Sequence, residues 1–239
     1  MMPREADRLL LDDLEAIGTM RRYYRWKADL AGPLLGPRFL EVGCGTGLML
    51  EHLTGAERVL GIDRLAACLE RARPRVAARP EVELRLLDIL DQHAIDLEDG
   101  QFDGVLFANS LELMADDALA LRRSAGILRP GGRVVIFTWA LGVPAAGLQP
   151  TYGLRGYTPQ GLGGLLEAAG FTGIRVRWMN LLGILAWWLD RRALERSPLM
   201  TAAAFARRDL AVPLARLLDA VTGPPRGRLL FATAMRPTT

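Results

Sequence analysis

The fold of this chain is decided by the stretch Phe39-Leu40-Glu41-Val42-Gly43-Cys44-Gly45-Thr46-Gly47-Leu48. A short apolar run enters three glycines at alternate positions, and an amphipathic segment follows them. The pattern predicts a strand, a tight turn and a helix over residues 46–54. Glycine tolerates the positive φ of such a turn and lets a ligand approach the bare backbone. The first amides of a helix have no partner within the helix, so they can hold an anionic or polar group. The stretch therefore predicts a nucleotide site.

The spacing of the glycines bears on which nucleotide is bound. A dinucleotide site of the type Gly-x-Gly-x-x-Gly needs a third glycine where the helix packs closely on the strand. Counted from Gly43, that position is occupied by Leu48. The pattern here is Glu-x-Gly-x-Gly-x-Gly, so an NAD-dependent oxidoreductase is kept only as an alternative.

From Arg38 onward, predicted strands alternate with predicted helices. The alternation predicts a parallel sheet with right-handed crossovers, and apolar runs such as 134–137 are typical of strands buried on both faces. Thr158-Pro159 predicts a helix start, because Thr is a good N-cap and Pro suits the first helical position. We predict strands at 38–43, 57–62, 82–87, 102–108, 133–138, 173–178 and 229–235, helices at 46–54, 64–73, 116–128 and 158–170, two helices within 5–31, a loop over 139–157 and helical structure over 181–222.

Composition and charge narrow the class of protein. The 239 residues, half of them apolar, are enough for one substantial core. Two cysteines cannot form a disulfide framework, and residues 1–13 lack an apolar signal region, so we expect a cytoplasmic protein. The longest apolar run is about 12 residues, short of the ~20 that a membrane-spanning helix needs. Residues 1–139 carry 18 basic and 22 acidic side chains, and residues 140–239 carry 12 and 5. The basic second part could face an anionic surface or substrate, or simply be a solvated arginine-rich face.

Several spaced motifs resemble the class I S-adenosylmethionine (SAM)-dependent methyltransferases. Residues 41–47 are similar to the first motif of that family, and the remaining landmarks follow in the family's order. A narrower likeness to bacterial type-11/12 methyltransferases lies in residues 24–26, 157–158 and 180–189. The landmarks are Gly61-Ile62-Asp63, Leu87-Asp88, Phe102-Asp103-Gly104-Val105, Asn109-Ser110-Leu111-Glu112, Leu128-Arg129-Pro130-Gly131-Gly132 and Ala168-Ala169-Gly170-Phe171.

The resemblance implies a fold and a cofactor. The expected fold is α/β, a Rossmann-like doubly wound sheet of seven strands with the last strand antiparallel. Residues 1–37 would form an N-terminal helical cover, and 38–239 the SAM-binding domain with a helical insertion at 181–222. The cofactor would be S-adenosyl-L-methionine, with S-adenosylhomocysteine as the product.

The resemblance also assigns cofactor-binding residues. Asp63 would accept hydrogen bonds from the ribose hydroxyls, although the same carboxylate could instead cap the following helix. Asp88 would accept from the adenine amino group unless it only forms a turn, and Glu41 would meet the SAM ammonium. Arg25 could pair with the SAM carboxylate or be a surface arginine. The whole set implied is Tyr24, Arg25, Glu41, Gly43, Cys44, Gly45, Asp63, Arg64, Asp88, Ile89 and Asn109.

The catalytic step is where this chain departs from the family pattern. Relatives often carry a histidine where this sequence has Leu113, and the loop 139–157 is nearly all apolar. A hydroxyl acceptor would usually need a general base, for which the remaining candidates are Glu112, Tyr152 and Tyr157. The two cysteines and two histidines lack metal-ligand spacing, so no metal is expected.

Two functions of different classes are weighed. The first is methyl transfer to a small, partly apolar acceptor that the loop 139–157 and the insertion 181–222 would hold. The alternative is a catalytically degenerate SAM-binding scaffold or regulatory subunit. We expect a small-molecule acceptor, no nucleic acid and no transmembrane segment, and leave peripheral membrane contact and a homodimer open.

Overall fold

The secondary structure follows the alternation predicted from the sequence. The computed structural model describes residues 5–91, 97, 100–141, 155–184 and 202–238. Within these ranges the strands are β1 (Arg38–Val42), β2 (Arg58–Asp63), β3 (Val82–Leu86), β4 (Phe102–Ala108), β5 (Leu128–Trp139), β6 (Thr172–Met179) and β7 (Leu229–Met235). The main α-helices there are α1 (Glu5–Ile17), α2 (Arg21–Leu35), α3 (Ala66–Val76), α4 (Asp117–Ile127), α5 (Pro159–Ala168), α6 (Ala202–Asp209) and α7 (Val212–Thr222), and a short 3-10 helix spans Leu111–Leu113.

The strands form one mixed sheet in the order β3-β2-β1-β4-β5-β7-β6. β1 runs parallel to β2 and to β4, whereas β7 runs antiparallel to both β5 and β6. The expected seven-stranded Rossmann-like sheet with an antiparallel last strand is confirmed. The strand order reverses between β1 and β4, and in open α/β sheets the crevice outside the carboxyl ends at such a point is where ligands bind.

Side chains of the central strands are buried on both faces of the sheet. Leu40 belongs to one apolar cluster, which Leu162 of α5 joins from outside the sheet. Its neighbour Phe39 points the other way, into a second cluster with Trp26 of α2. Each fully buried side chain of this size contributes roughly 1.5–3 kcal/mol. Burial on both sides explains why these strands read as nearly continuous apolar runs.

The predicted helix at 46–54 was wrong. The segment is a series of turns, with two scattered helical contacts from Glu51 N to Gly47 O at 3.0 Å and from Leu53 N to Met49 O at 3.1 Å. The physical reason lies in Gly47, whose φ of 80° breaks a right-handed helix at the position where it would begin. The segment still buries its apolar side chains against the sheet, which produced the helix-like periodicity.

Two buried carboxylates, Asp209 and Asp219, tie the helical insertion to other parts of the chain, and Asp219 accepts from the amides of Asn180 and Leu181. Met20, at the start of α2, offers no side-chain cap. Asp209 of α6 supplies it instead, accepting from the amides of Arg22 and Tyr23 at 3.0 Å each. Residues 181–184 are helical, as predicted, and α6 and α7 continue the insertion, while 185–201 lie outside the described residues. Within those residues, every helix is too short or too polar to cross a lipid bilayer.

Candidate functional site

The glycine turn after β1 lies at the carboxyl edge of the sheet. Gly43, Gly45 and Gly47 have φ values of 71°, 54° and 80°, which favour glycine. At Gly43 a Cβ would also lie 2.6 Å from the Cβ of Ser110, which follows β4. The turn therefore requires glycine both for its conformation and for close packing against the next strand end.

Three amides of this turn already donate hydrogen bonds within the protein. Those of Gly43 and Cys44 both donate to the carbonyl of Ile62, at 2.8 and 2.9 Å. The Gly45 amide donates to Asp63 Oδ2 at 2.8 Å. These three amides are taken because β2 ends directly beside the turn and supplies the acceptors. The expectation of unpaired amides concerned the start of the helix predicted at 46–54, where the Gly47 amide donates to the Cys44 carbonyl at 2.9 Å.

Asp63 ends β2, as predicted, and its carboxylate is largely buried. Besides Gly45, the Leu65 amide donates to Asp63 Oδ1 at 2.9 Å. Burial raises the pKa of Asp63, and the two amide hydrogen bonds oppose that shift. The helix that follows begins at Ala66 and is not capped by Asp63. Each carboxylate oxygen has a second lone pair, so both can still accept from a ligand.

The next strand end carries Asp88 and Ile89. Asp88 Oδ1 accepts from the Leu90 amide at 2.9 Å, so its turn-forming role is present in the structure. Ile89 is buried, and its carbonyl accepts from Arg123 Nη1 at 2.6 Å. Arg64, which follows Asp63, is exposed. The roles of these residues toward a nucleotide stay predictions.

Glu41 is buried beneath the glycine turn with an unsatisfied oxygen. Among the described residues, neither its Oε2 nor the Thr46 hydroxyl has a hydrogen-bond partner. Burial raises the pKa of Glu41 from 4.5 to about 8, although Lys27 acts to lower it and Asp63 to raise it. A buried carboxylate without a partner is costly, so this position favours a ligand that brings a cation or a donor.

Lys27 is the functional candidate that sequence reasoning missed. Its side chain is buried on α2, and Nζ donates to Asn109 Oδ1 at 2.7 Å. Nζ also lies 5.0–5.6 Å from the ring centres of Tyr23, Tyr24 and Phe137, within cation–π range. Burial lowers the pKa of Lys27 from 10.5 to about 8, while Glu112 and Glu41 raise it. The available signal was a charged residue on the apolar face of a helix, and the only lysine in the chain.

Asn109 links this lysine to Glu112. Asn109 directly follows β4 with a φ of 63°, an uncommon conformation for a residue other than glycine. Its Nδ2 donates to Glu112 Oε1 at 3.1 Å, and the Thr138 hydroxyl donates to Glu112 Oε2 at 2.8 Å. Burial raises the pKa of Glu112, and these hydrogen bonds oppose the shift. Lys27, Asn109, Glu112 and Thr138 are called the buried polar cluster below.

The structure separates two α2 residues that were predicted to act together. Tyr24 is buried and packs edge-on against Tyr23 with ring centres 5.7 Å apart. Arg25 is exposed and lines a groove between α2 and α7 to which no residue of the glycine turn contributes. The structure therefore does not bring Arg25 to the turn. Cys44 is buried within it, as expected of a small turn residue.

Of the two tyrosines named as candidate general bases, Tyr157 does not lie in the buried polar cluster that holds Glu112. Tyr157 is buried, and its hydroxyl donates to Asp117 Oδ2 at 2.8 Å. Burial, together with this carboxylate, raises the pKa of Tyr157. Tyr152 and most of the loop 139–157 lie outside the described residues. In the part of the chain that is described, no three His, Cys, Asp or Glu side chains lie close enough to hold a metal ion.

Comparisons with known proteins agree with this architecture. Residues 40–136 match the family model described as a methyltransferase domain. The chain is 39% identical over 113 residues to a ubiquinone biosynthesis O-methyltransferase from Alkalilimnicola ehrlichii, covering 46% of this chain and 45% of that protein. It is 35% identical over 130 residues to a demethylmenaquinone methyltransferase from Thermus thermophilus, covering 53% and 58%. The chain thus spans about half the length of the curated relatives it matches.

A solved structure extends the likeness to nearly the whole chain. It is a SAM-dependent methyltransferase from Thermotoga maritima, described as a possible histamine N-methyltransferase. The TM-score is 0.66 at 18% identity, with 96% of each chain covered. At that identity the match establishes the fold, and the substrate has to be argued from this chain's own residues.

Proposed function

We propose that this chain, a class I SAM-dependent methyltransferase by its fold and by the domain that residues 40–136 match, binds SAM at the glycine turn and transfers its methyl group to a small acceptor. The domain match and the solved neighbours support SAM as the cofactor. The transfer itself and its acceptor are inferred from the arguments that follow.

The observation that carries the proposal is the buried oxygen of Glu41, for which the described part of the chain supplies no hydrogen-bond partner. It lies on β1 just before the glycine turn, at the carboxyl edge where the sheet binds ligands. The SAM ammonium would satisfy that oxygen and hold the carboxylate ionised. The Thr46 hydroxyl, in the glycine turn itself, is buried and likewise lacks a partner among the described residues, so it offers a second polar contact. The residues present therefore fit the methionine part of SAM.

The strand ends on either side of the turn would hold the nucleoside. Asp63 keeps one free lone pair on each oxygen for the vicinal hydroxyls of a ribose. Asp88 would accept from the adenine amino group, and the amide of Ile89 would donate to the ring. The Gly45 and Leu65 amides fix the rotamer of Asp63, so little ordering of this carboxylate would be needed on binding.

We assign the cation that faces the SAM carboxylate to Lys27. Its ammonium is held by Asn109 at the end of β4, and the charge of Glu41 acts on it as well. The exposed position of Arg25 in a separate groove argues against its pairing with that carboxylate. A carboxylate ligand would also offset the loss of solvation that lowers the pKa of Lys27.

Bound SAM would supply an electrophilic methyl group on a sulfonium, and the protein's task is to bring a nucleophile in line with it and exclude water. Two relatives are named for ubiquinone biosynthesis and for demethylmenaquinone, which favours an acceptor with a quinone-type ring. Two leucines that follow strands of this edge, Leu113 after β4 and Leu141 after β5, are exposed and offer apolar surface for such a ring.

A second function, SAM binding without transfer, is favoured by the state of the candidate bases. Both oxygens of Glu112 accept hydrogen bonds within the buried polar cluster. The Tyr157 hydroxyl is engaged by Asp117. A protein with these groups occupied could bind SAM and act as a scaffold or regulatory subunit.

Calorimetric titration with SAM, S-adenosylhomocysteine and NAD tests the cofactor first. We expect the first two to bind and NAD not to bind, and a ligand at 100 times its Kd should add about 2.7 kcal/mol of stability. Binding of NAD alone would overturn the proposal. Transfer of labelled methyl from SAM to catechols and hydroxyquinones then separates the two functions. SAM binding without transfer to any of them would favour the scaffold.

A further inference from the structure

The outer face of α7 carries an unusual row of apolar side chains. Leu210, Leu214, Leu217 and Val221 expose 67%, 55%, 59% and 75% of their surface. Their spacing of four, three and four residues places them on one side of the helix and of the turn that precedes it. Single exposed leucines are common, but a contiguous apolar row marks an interaction surface.

The polar and apolar faces of α7 are the reverse of what packing against a core would favour. Its buried face consists of Val212, Ala215 and Asp219. Asp219 is turned inward because it accepts from the amides of Asn180, at 2.5 Å, and Leu181, at 3.1 Å. The acidic residue thus serves the fold while the leucines face outward. Core packing therefore does not explain why this face is apolar.

A basic groove borders α7 on the side that faces α2. It has a volume of about 580 Å³, lies between α2 and α7, and includes Val212 and Pro213 of α7. Its basic residues are Arg21, Arg22, Arg25 and Arg216. Arg216 pairs with Asp29 at 2.5 Å, and Arg21 pairs with Glu51 at 3.1 Å.

The other two arginines leave the groove with an excess of positive charge. Arg22 and Arg25 are exposed on α2. Within the described ranges, neither side chain has a carboxylate at ion-pairing distance. Arg207, at the end of α6, adds another exposed cation near the start of the apolar row.

We propose that the outer face of α7 and the neighbouring arginine groove dock the protein on an anionic lipid surface. A helix that lies in a membrane interface inserts leucines among the lipids while flanking arginines meet the head groups. A second copy of the chain fits this face less well, because a two-fold contact would bring the same arginines toward each other. The inference goes beyond methyl transfer and holds or fails independently of it.

Vesicle co-sedimentation tests the proposal directly. Vesicles of dioleoylphosphatidylcholine alone are compared with an equimolar mixture containing dioleoylphosphatidylglycerol. We expect binding to the anionic vesicles to be at least about tenfold stronger, and to weaken between about 0.1 M and 0.5 M salt as the Debye length shrinks.

Two double variants measure separately how much the apolar row and the groove arginines contribute to vesicle binding. Leu214→Gln with Leu217→Gln, and Arg22→Gln with Arg25→Gln, should each reduce binding to anionic vesicles by about tenfold. The controls are Leu86→Gln, 57% exposed on the edge strand β3, and its neighbour Arg85→Gln. Both controls should bind as the parent protein does. All of these residues are exposed, and a thermal melt checks that each variant is folded.

Three results would overturn the proposal. The first is no binding of the parent protein to anionic vesicles. The second is an undiminished affinity of the double leucine variant, which would leave only non-specific attraction by charge. The third is a concentration-dependent dimer in light scattering that the double leucine variant abolishes, which would make the face a contact between copies of the chain.

Discussion

Replacing Glu41 with glutamine should stabilise the ligand-free protein by an amount that grows with pH. Burial raises the pKa of Glu41 from 4.5 to about 8. Between these two values the folded protein holds a proton that the unfolded chain has released. The free energy of unfolding therefore falls as pH rises, by about 1.4 kcal/mol per pH unit for this one group. Glutamine keeps the shape of the side chain and does not titrate.

The magnitude follows from the same two pKa values. The difference in unfolding free energy between Glu41→Gln and the parent protein should be near zero at pH 4.5 and reach about 5 kcal/mol above pH 8. Lys27 does not cancel this slope. Its pKa is lowered to about 8, so its own contribution changes with pH only above that value. Glu112 and Asp63, whose pKa values are also raised by burial, add slopes of the same sign to both proteins and drop out of the difference.

Urea denaturation followed by circular dichroism between about pH 5.5 and pH 8 measures the effect. The matched control is Glu57→Gln, at an exposed glutamate, which should follow the parent protein at every pH. Saturating SAM should flatten the slope of the parent protein, because its ammonium would keep Glu41 ionised in the folded state. A difference between Glu41→Gln and the parent that stays constant with pH would refute the reasoning. It would mean that Glu41 already has a partner, and the main support for the cofactor site would be lost.

Three further changes test individual residues. Asp63→Ala should weaken SAM binding by about 1.5–3 kcal/mol, the scale of charge-assisted hydrogen bonds, and an unchanged calorimetric Kd on folded protein would remove Asp63 from the site. Lys27→Met should raise the Kd for SAM by about tenfold or more, whereas Arg25→Met should leave it within about twofold; the opposite pattern would return the carboxylate to Arg25. Tyr157→Phe should lower the unfolding free energy by about 1 kcal/mol through loss of the 2.8 Å bond to Asp117, and loss of methyl transfer with intact SAM binding would instead make Tyr157 catalytic.

The sheet could be predicted from the sequence because its strands are buried on both faces. β4 was predicted at 102–108 and spans Phe102–Ala108, since a dense apolar run bounded by polar residues has few alternatives. Asp63 and Asn109 were likewise placed correctly at strand ends. The helix predicted at 46–54 was wrong for a local reason. Apolar periodicity indicates which side chains are buried, but it does not register that Gly47 takes a positive φ.

Contacts between distant parts of the chain could not be predicted in this way. Asp209 caps α2 across 187 positions in the sequence, and nothing in the residues near Arg22 identifies the carboxylate that binds its amide. Asp219 binds the amides of Asn180 and Leu181 in the same manner. Helical periodicity by itself assigns aspartates to the solvated face of a helix and leucines to its buried face. In α7 the structure has the reverse, because Asp219 is buried while Leu214 and Leu217 are exposed.

Lys27 shows how the site itself depends on tertiary structure. It follows Tyr23 and Tyr24 by four and three residues, which places it on their face of α2, where an isolated ammonium is costly. The residue predicted to pair with the SAM carboxylate was instead Arg25, on the same helix. The fold changes this preference by placing Asn109, with its positive φ, within 2.7 Å of the ammonium. Lysine, unlike arginine, can then lose its proton near neutral pH. With Lys27 and Glu41 both near pKa 8, the charges of these two groups change in the same pH range. A ligand that brings an ammonium and a carboxylate, as SAM does, would favour the charged forms of both.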